Sequence, residues 1–82
     1  MRILIAEDEP RAMRGLKNLI TSISPDYQVV AVAADGRQAL EIMEREAPDV
    51  VLTDLKMDGM DGFELIQVSR KRFPAVQFVV LS

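Results

Sequence analysis

The sequence of 82 residues contains neither cysteine nor histidine. Without cysteine there is no disulfide and no thiolate metal site, and the cysteine content indicates neither an oxidising nor a reducing compartment. No apolar run reaches 18 residues, so no segment is predicted to span a membrane. Lys and Arg number 10 against 13 Asp and Glu, for a net charge of −3, which argues against a nucleic-acid-binding surface. The N-terminus does not have the pattern of a signal peptide, so we expect a cytoplasmic protein.

The composition that remains is typical of a small globular domain. Hydrophobic residues make up 49% of the chain and charged residues 28%, which are ordinary proportions. A chain of this length forms one domain at most and buries only about 60% of the surface that its unfolded form exposes.

Short apolar runs alternate with segments of helical periodicity along the chain. Each run is rich in Val, Ile, Leu or Ala, which indicates buried strands. The predicted strands cover residues 2–6, 28–34, 49–53 and 77–81. This order, βαβαβαβ, predicts a mainly parallel sheet with helices on both faces.

Three amphipathic helices are predicted between the strands. Pro10 suits the first turn of the first helix, and Asp35 with Gln38 resembles a capping box at the start of the second. The residues expected to face inward are Met13, Leu16, Leu19, Ile20 and Ile23, then Ala39, Leu40, Ile42 and Met43, then Phe63, Leu65, Ile66, Val68 and Ser69.

Acidic residues end two of the predicted strands. Glu7 and Asp8 follow the first strand, and Asp54 follows the third. Ligands of open parallel sheets bind beyond the carboxyl ends of the strands, so the three carboxylates converge if these strands are neighbours. At an effective dielectric constant of 20, two such charges 4 Å apart repel by about 4 kcal/mol. Oxygen ligands alone favour Mg²⁺, Mn²⁺ or Ca²⁺ over zinc.

This arrangement suggests phosphoryl chemistry at Asp54. A carboxylate can act as a nucleophile and carry a phosphoryl group. A divalent ion beside it would neutralise the charge that develops on the phosphoryl oxygens. Asp54 as a phosphoacceptor beside Mg²⁺ is therefore our hypothesis from the residues alone.

Three segments, ILIAEDEP, VVLTDLKMDGMDGFELI and FVVLS, together resemble the receiver domain of two-component response regulators. The likeness runs from the first strand to the fourth. It implies a flavodoxin-like (CheY-like) doubly wound sheet with strand order 2-1-3-4. It also implies a signalling module, not an enzyme, that is phosphorylated by a sensor histidine kinase.

The resemblance assigns roles to five positions. Asp8 would bind Mg²⁺ directly, and Glu7 would act largely through water. Asp54 would be both phosphoacceptor and metal ligand, and Lys56 would offer its backbone carbonyl to the ion. Ser82 would hydrogen-bond the phosphoryl group and reorient on activation.

The sequence departs from the family pattern at two places. Asp58 stands where the loop usually has proline, which adds a fourth acid. The chain also stops after the fourth strand, so we expect residues 1–82 to be the N-terminal portion of one receiver domain, without the last helix, strand and helix or their phosphoryl-binding lysine. The fourth strand would then be a bare edge, open to self-association or a strand-swapped dimer.

Three functional classes stay open from the sequence. The first is a phosphoacceptor module that controls an attached output domain, with most likeness to receivers that precede AraC-type DNA-binding domains. The second is a fragment or self-associating interaction module without phosphotransfer. The third, a phosphatase of the haloacid dehalogenase type, is disfavoured because Lys56 stands where a second acid is needed.

Overall fold

A computed structural model describes residues 1–81. Four strands alternate with three helices in the predicted order. The elements are β1 (Arg2–Ala6), α1 (Pro10–Ile23), β2 (Gln28–Ala33), α2 (Gly36–Glu46), β3 (Val50–Asp54), α3 (Gly62–Arg72) and β4 (Gln77–Leu81). Each strand boundary lies within one residue of the position that the sequence predicted.

The four strands form one parallel sheet in the order β2-β1-β3-β4. This order confirms the predicted flavodoxin-like arrangement. Ala6 pairs with Thr53 across β1 and β3, so the carboxyl ends of these two central strands lie side by side. Strand order reverses at this point, because β2 lies on one side of β1 and β3 lies on the other.

The sheet buries a hydrophobic cluster on each face. On one face, side chains of α2 and α3 pack against alternate residues of the strands, including Leu4 and Val51, which are fully buried. On the other face, α1 places Ile20 against Ile3 and Ile5. The two clusters alternate with period two along the central strands β1 and β3, as expected for a sheet that is covered on both faces.

The predicted helix starts are confirmed by their caps. Asp35 accepts a hydrogen bond from the backbone N–H of Gln38 at 2.8 Å. The side chain of Gln38 accepts in turn from the N–H of Ala34 at 2.7 Å, one residue before the partner of a strict capping box. Pro10 is the first residue of α1, where its missing N–H loses no hydrogen bond.

Four residues predicted to face inward are instead exposed. Leu19 and Ile23 on α1 are 57% and 61% exposed, and Phe63 and Val68 on α3 are 61% and 37% exposed. Helical periodicity overestimated the width of both buried faces. Each helix meets one sheet face along a narrow line, which on α3 runs through Leu65 and on α1 through Ile20.

Strand β2 was predicted to be buried, but most of its residues are only half-buried because it lies at a sheet edge. Strand β4 forms the other edge, as expected, and leaves Val79 46% and Val80 43% exposed. Within residues 1–81, no helix combines the length and the apolar character that crossing a bilayer requires.

Candidate acidic site at the carboxyl ends of the central strands

The two central strands bring three acidic side chains to one edge of the sheet. Glu7 and Asp8 directly follow β1, and Asp54 is the last residue of β3. One carboxylate oxygen from each residue lies within 4.8 Å of the other two. The convergence predicted from the strand ends is therefore present.

Glu7 is the buried member of this cluster, with 7% of its surface exposed. Burial raises the pKa of its carboxyl above the ordinary 4.5, and the charges of Asp54 and Asp8 raise it further. The backbone N–H of Glu9 donates to Glu7 Oε1 at 3.1 Å and opposes this rise in pKa. Burial and like charge both disfavour the ionised form, so the cluster is electrostatically unfavourable by itself.

Backbone contacts fix the position of Asp54. The N–H of Lys56 donates to Asp54 Oδ1 at 3.3 Å, and the hydroxyl of Thr53, a fully buried residue, donates to the Asp54 carbonyl at 2.9 Å. Gly62, the first residue of α3, approaches that carbonyl so closely that a Cβ would overlap it. A side chain at position 62 would therefore push α3 away from the end of β3.

Asp8, alone of the three clustered carboxylates, borders a shallow depression of about 340 Å³. Asp8, Lys56, Met57, Asp58 and Asp61 line it. The backbone N–H of Asp58 donates to Asp8 Oδ2 at 3.4 Å, so the loop after β3 reaches the acid pair after β1. Asp61 accepts from the N–H of Glu64 at 2.9 Å and caps α3.

The predicted site residues fall into three groups. Glu7, Asp8 and Asp54 come together, and Lys56 lies beside them through its N–H. Ser82 lies outside the described residues. The sequence reasoning missed Asp61, although an acid just before a glycine and an apolar helical segment is a recognisable N-cap signal.

The donor set suits a hard divalent cation. All three groups are carboxylates, and no Lys or Arg of residues 1–81 forms an ion pair with any of them. A divalent cation bound among these acids would relieve their mutual repulsion. Oxygen donors in this number, with room for water in the depression, meet the preference of Mg²⁺ for a few carboxylates and retained waters.

A parallel sheet of this order with an acidic cluster at the reversal of strand order defines a receiver-like α/β domain. Comparison with known sequences agrees, because the model of the response regulator receiver domain family matches residues 3–82. The chain belongs to this family.

Individual relatives agree with the family match. The chain is 40% identical over 80 residues to the nitrate/nitrite response regulator NarL of Escherichia coli K12, covering 98% of this chain and 37% of NarL. It is 40% identical over 81 residues to the uncharacterized transcriptional regulatory protein YesN of Bacillus subtilis, covering 99% of this chain and 22% of YesN. Among solved structures, the response regulator domain of Thermotoga maritima CheB superposes with a TM-score of 0.91 at 31% identity, covering 98% of this chain and 58% of that one. The chain therefore spans less than two thirds of the length of each of these relatives.

Proposed function

We propose that Asp54 is the phosphoacceptor of a two-component signalling protein. A carboxylate oxygen of Asp54 attacks the phosphorus of a phosphohistidine on a sensor histidine kinase. The O–P bond forms as the N–P bond breaks, and the histidine nitrogen leaves with the electron pair. The convergence of Glu7, Asp8 and Asp54 in a chain of the receiver family carries this proposal.

The ion in this proposal is Mg²⁺, which Asp8, Asp54 and the backbone carbonyl of Lys56 would hold directly and Glu7 would hold through water. When bound, it neutralises charge on the transferring phosphoryl group. Asp54 supplies the nucleophile, and the N–H of Lys56 orients its carboxylate. The Ser82 hydroxyl, in this proposal, hydrogen-bonds the phosphoryl group once it is on Asp54.

We also propose that residues 1–82 are the N-terminal portion of a receiver domain that acts as a signalling module in the cytoplasm. Its output would be transcriptional, since YesN is described as a transcriptional regulatory protein and NarL as a response regulator. The AraC-type output domain expected from the sequence stays a prediction.

Phosphorylation of the chain by a small phosphodonor tests this function. With Mg²⁺ and phosphoramidate, intact-mass spectrometry should show one added phosphoryl group that hydroxylamine removes, as an acyl phosphate requires. Asp54→Asn should abolish it, whereas Asp26→Asn, an exposed acid in the turn before β2, should keep it. Equal labelling of Asp54→Asn would contradict the assignment.

A second candidate function is self-association through the β4 edge. Strand β4 is hydrogen-bonded only on its β3 side in the sheet of residues 1–81, and Val79 and Val80 are exposed on it. An edge of this kind pairs readily with a strand of a second copy. Light scattering should then report a dimer that Val79→Lys converts to monomer. A wild-type monomer at high concentration would exclude it and leave the phosphoacceptor proposal unaffected.

A further inference from the structure

The loop between β3 and α3, residues 55–61, forms one wall of the acidic site. It contacts the cluster at two backbone groups, the N–H of Lys56 at Asp54 Oδ1 and the N–H of Asp58 at Asp8 Oδ2. Gly59 has a φ of 77°, a left-handed conformation that favours glycine. The course of this loop therefore decides where its two N–H groups meet the carboxylates.

The loop is attached to the rest of the domain through two methionines. Met57 is 8% exposed and belongs to the core cluster of α2 and α3, and Met60 packs against the same cluster. At Met60 the attachment also involves backbone, because the N–H of Gly36 donates to the Met60 carbonyl at 2.7 Å. This short bond joins the first residue of α2 to the loop.

Gly36 is required here by space and not by backbone conformation. It is the first residue of α2, and its φ lies outside the left-handed region. A Cβ at this position would lie 2.7 Å from the Met60 carbonyl oxygen and 2.8 Å from Met60 Cγ. A side chain at position 36 can be accommodated only if the loop moves, because the cap by Asp35 holds the start of α2 in place.

We propose that Gly36 is a positioning residue for the acidic site. Its contact with Met60 sets the course of residues 55–61, and hence the positions of the Lys56 and Asp58 backbones relative to Asp54 and Asp8. The start of α2 thereby supports a metal site with which it shares no ligand. Groups that support ligands from outside the coordination sphere commonly change metal affinity by roughly 10- to 100-fold.

Gly36→Ala compared with Gly15→Ala tests this proposal, because a Cβ at Gly15 meets no atom within 4 Å. In metal-free protein, Gly36→Ala should shift the ¹H–¹⁵N resonances of Lys56, Asp58 and Asp8, and Gly15→Ala should not. In a Mg²⁺ titration, Gly36→Ala should bind roughly 10-fold more weakly, with Gly15→Ala unchanged. A folded Gly36→Ala with wild-type loop resonances and affinity would overturn the proposal.

The experiment also decides the role of Gly36 if the Gly36→Ala variant does not fold or if the wild type binds no Mg²⁺. If Gly36→Ala does not fold, Met60→Ala takes its place, since it loosens the loop side of the contact without adding an atom. It should also shift the Lys56 and Asp58 resonances, and unchanged resonances would again overturn the proposal.

The Mg²⁺ readout rests on the proposed function, but the metal-free resonances do not. A wild type that binds no Mg²⁺ would contradict the metal assignment, and the loop shifts would still decide the role of Gly36.

Discussion

Charged residues have partners at the amino ends of the strands, whereas the clustered carboxylates at the carboxyl ends form no ion pairs within residues 1–81. At the amino ends of the strands, Arg2 donates from Nη2 to the Glu46 carbonyl at 2.6 Å and lies 3.3 Å from the Glu46 carboxylate. The backbone N–H of Arg2 donates to Asp49 Oδ2 at 2.8 Å. At the carboxyl ends, Glu7, Asp8 and Asp54 face one another, and none forms an ion pair within residues 1–81.

This contrast separates the residues that hold the fold from those available for chemistry. At the amino end, side chains satisfy the backbone groups at the end of α2 and the start of β1. At the carboxyl end, close backbone contacts at Gly36 and Gly62 hold the loops in place. Each of the three carboxylates accepts a backbone N–H but has no cationic partner within residues 1–81. Their unfavourable electrostatics can therefore be relieved by a ligand from solution.

The largest expected loss of stability follows from disrupting the backbone packing at the carboxyl ends of the strands. In Gly62→Ala, the new Cβ would overlap the Asp54 carbonyl and lie 2.9 Å from Thr53 Oγ1. Both neighbours are held in the sheet, so α3 must shift. We expect a loss of about 3 kcal/mol in the free energy of unfolding, the upper range for overpacking, measured by urea denaturation. Gly15→Ala is the control and should be neutral or stabilising. Equal midpoints for Gly62→Ala and wild type would contradict the packing argument.

Much of this arrangement could be predicted from local patterns. The strand boundaries and the meeting of Glu7, Asp8 and Asp54 follow from apolar runs that end in acids, because parallel strands share one carboxyl edge. The contact of Gly36 with Met60 could not be predicted, because it joins a helix start to a loop distant in sequence. The exposure of Phe63 was missed for a related reason: periodicity shows that a helix has an apolar face but not how much of it the sheet covers.

Loss of the Arg2 guanidinium should weaken the contacts at the amino ends of the strands. Arg2→Met keeps much of the apolar stem but removes the guanidinium donors to the Glu46 carbonyl. We expect a loss of about 1 kcal/mol in the free energy of unfolding, the usual contribution of a hydrogen bond at a partly exposed site. Arg14→Met, at an exposed position of α1, is the matched control in the same urea experiment. A stability loss of the same size in both variants would show that the Glu46 contact contributes nothing specific.

Removal of one negative charge from the carboxyl end should stabilise the protein slightly, in contrast to the change at the amino end. In Mg²⁺-free buffer, Asp8→Asn should raise the free energy of unfolding by less than about 1 kcal/mol, because Asp8 is exposed and solvent screens its repulsion with Glu7 and Asp54. Added Mg²⁺ should stabilise the wild type by mass action but not this variant. Asp26→Asn should show neither effect in thermal melts. A variant less stable than wild type without Mg²⁺ would indicate that Asp8 supports the fold.

The smallest expected effect concerns the pH dependence of stability. Because burial and the charges of Asp54 and Asp8 raise the pKa of Glu7 above 4.5, the folded state binds its proton more tightly than the unfolded state does. Ionised Glu7 therefore destabilises the folded state, so the free energy of unfolding falls as pH rises from 4.5 through the folded pKa of Glu7. The same free energy is recovered when pH decreases through this range. In EDTA, the difference in unfolding free energy between Glu7→Gln and wild type should be largest at pH 7 and shrink toward pH 4.5. A constant difference across this range would show that Glu7 titrates alike in the folded and unfolded states.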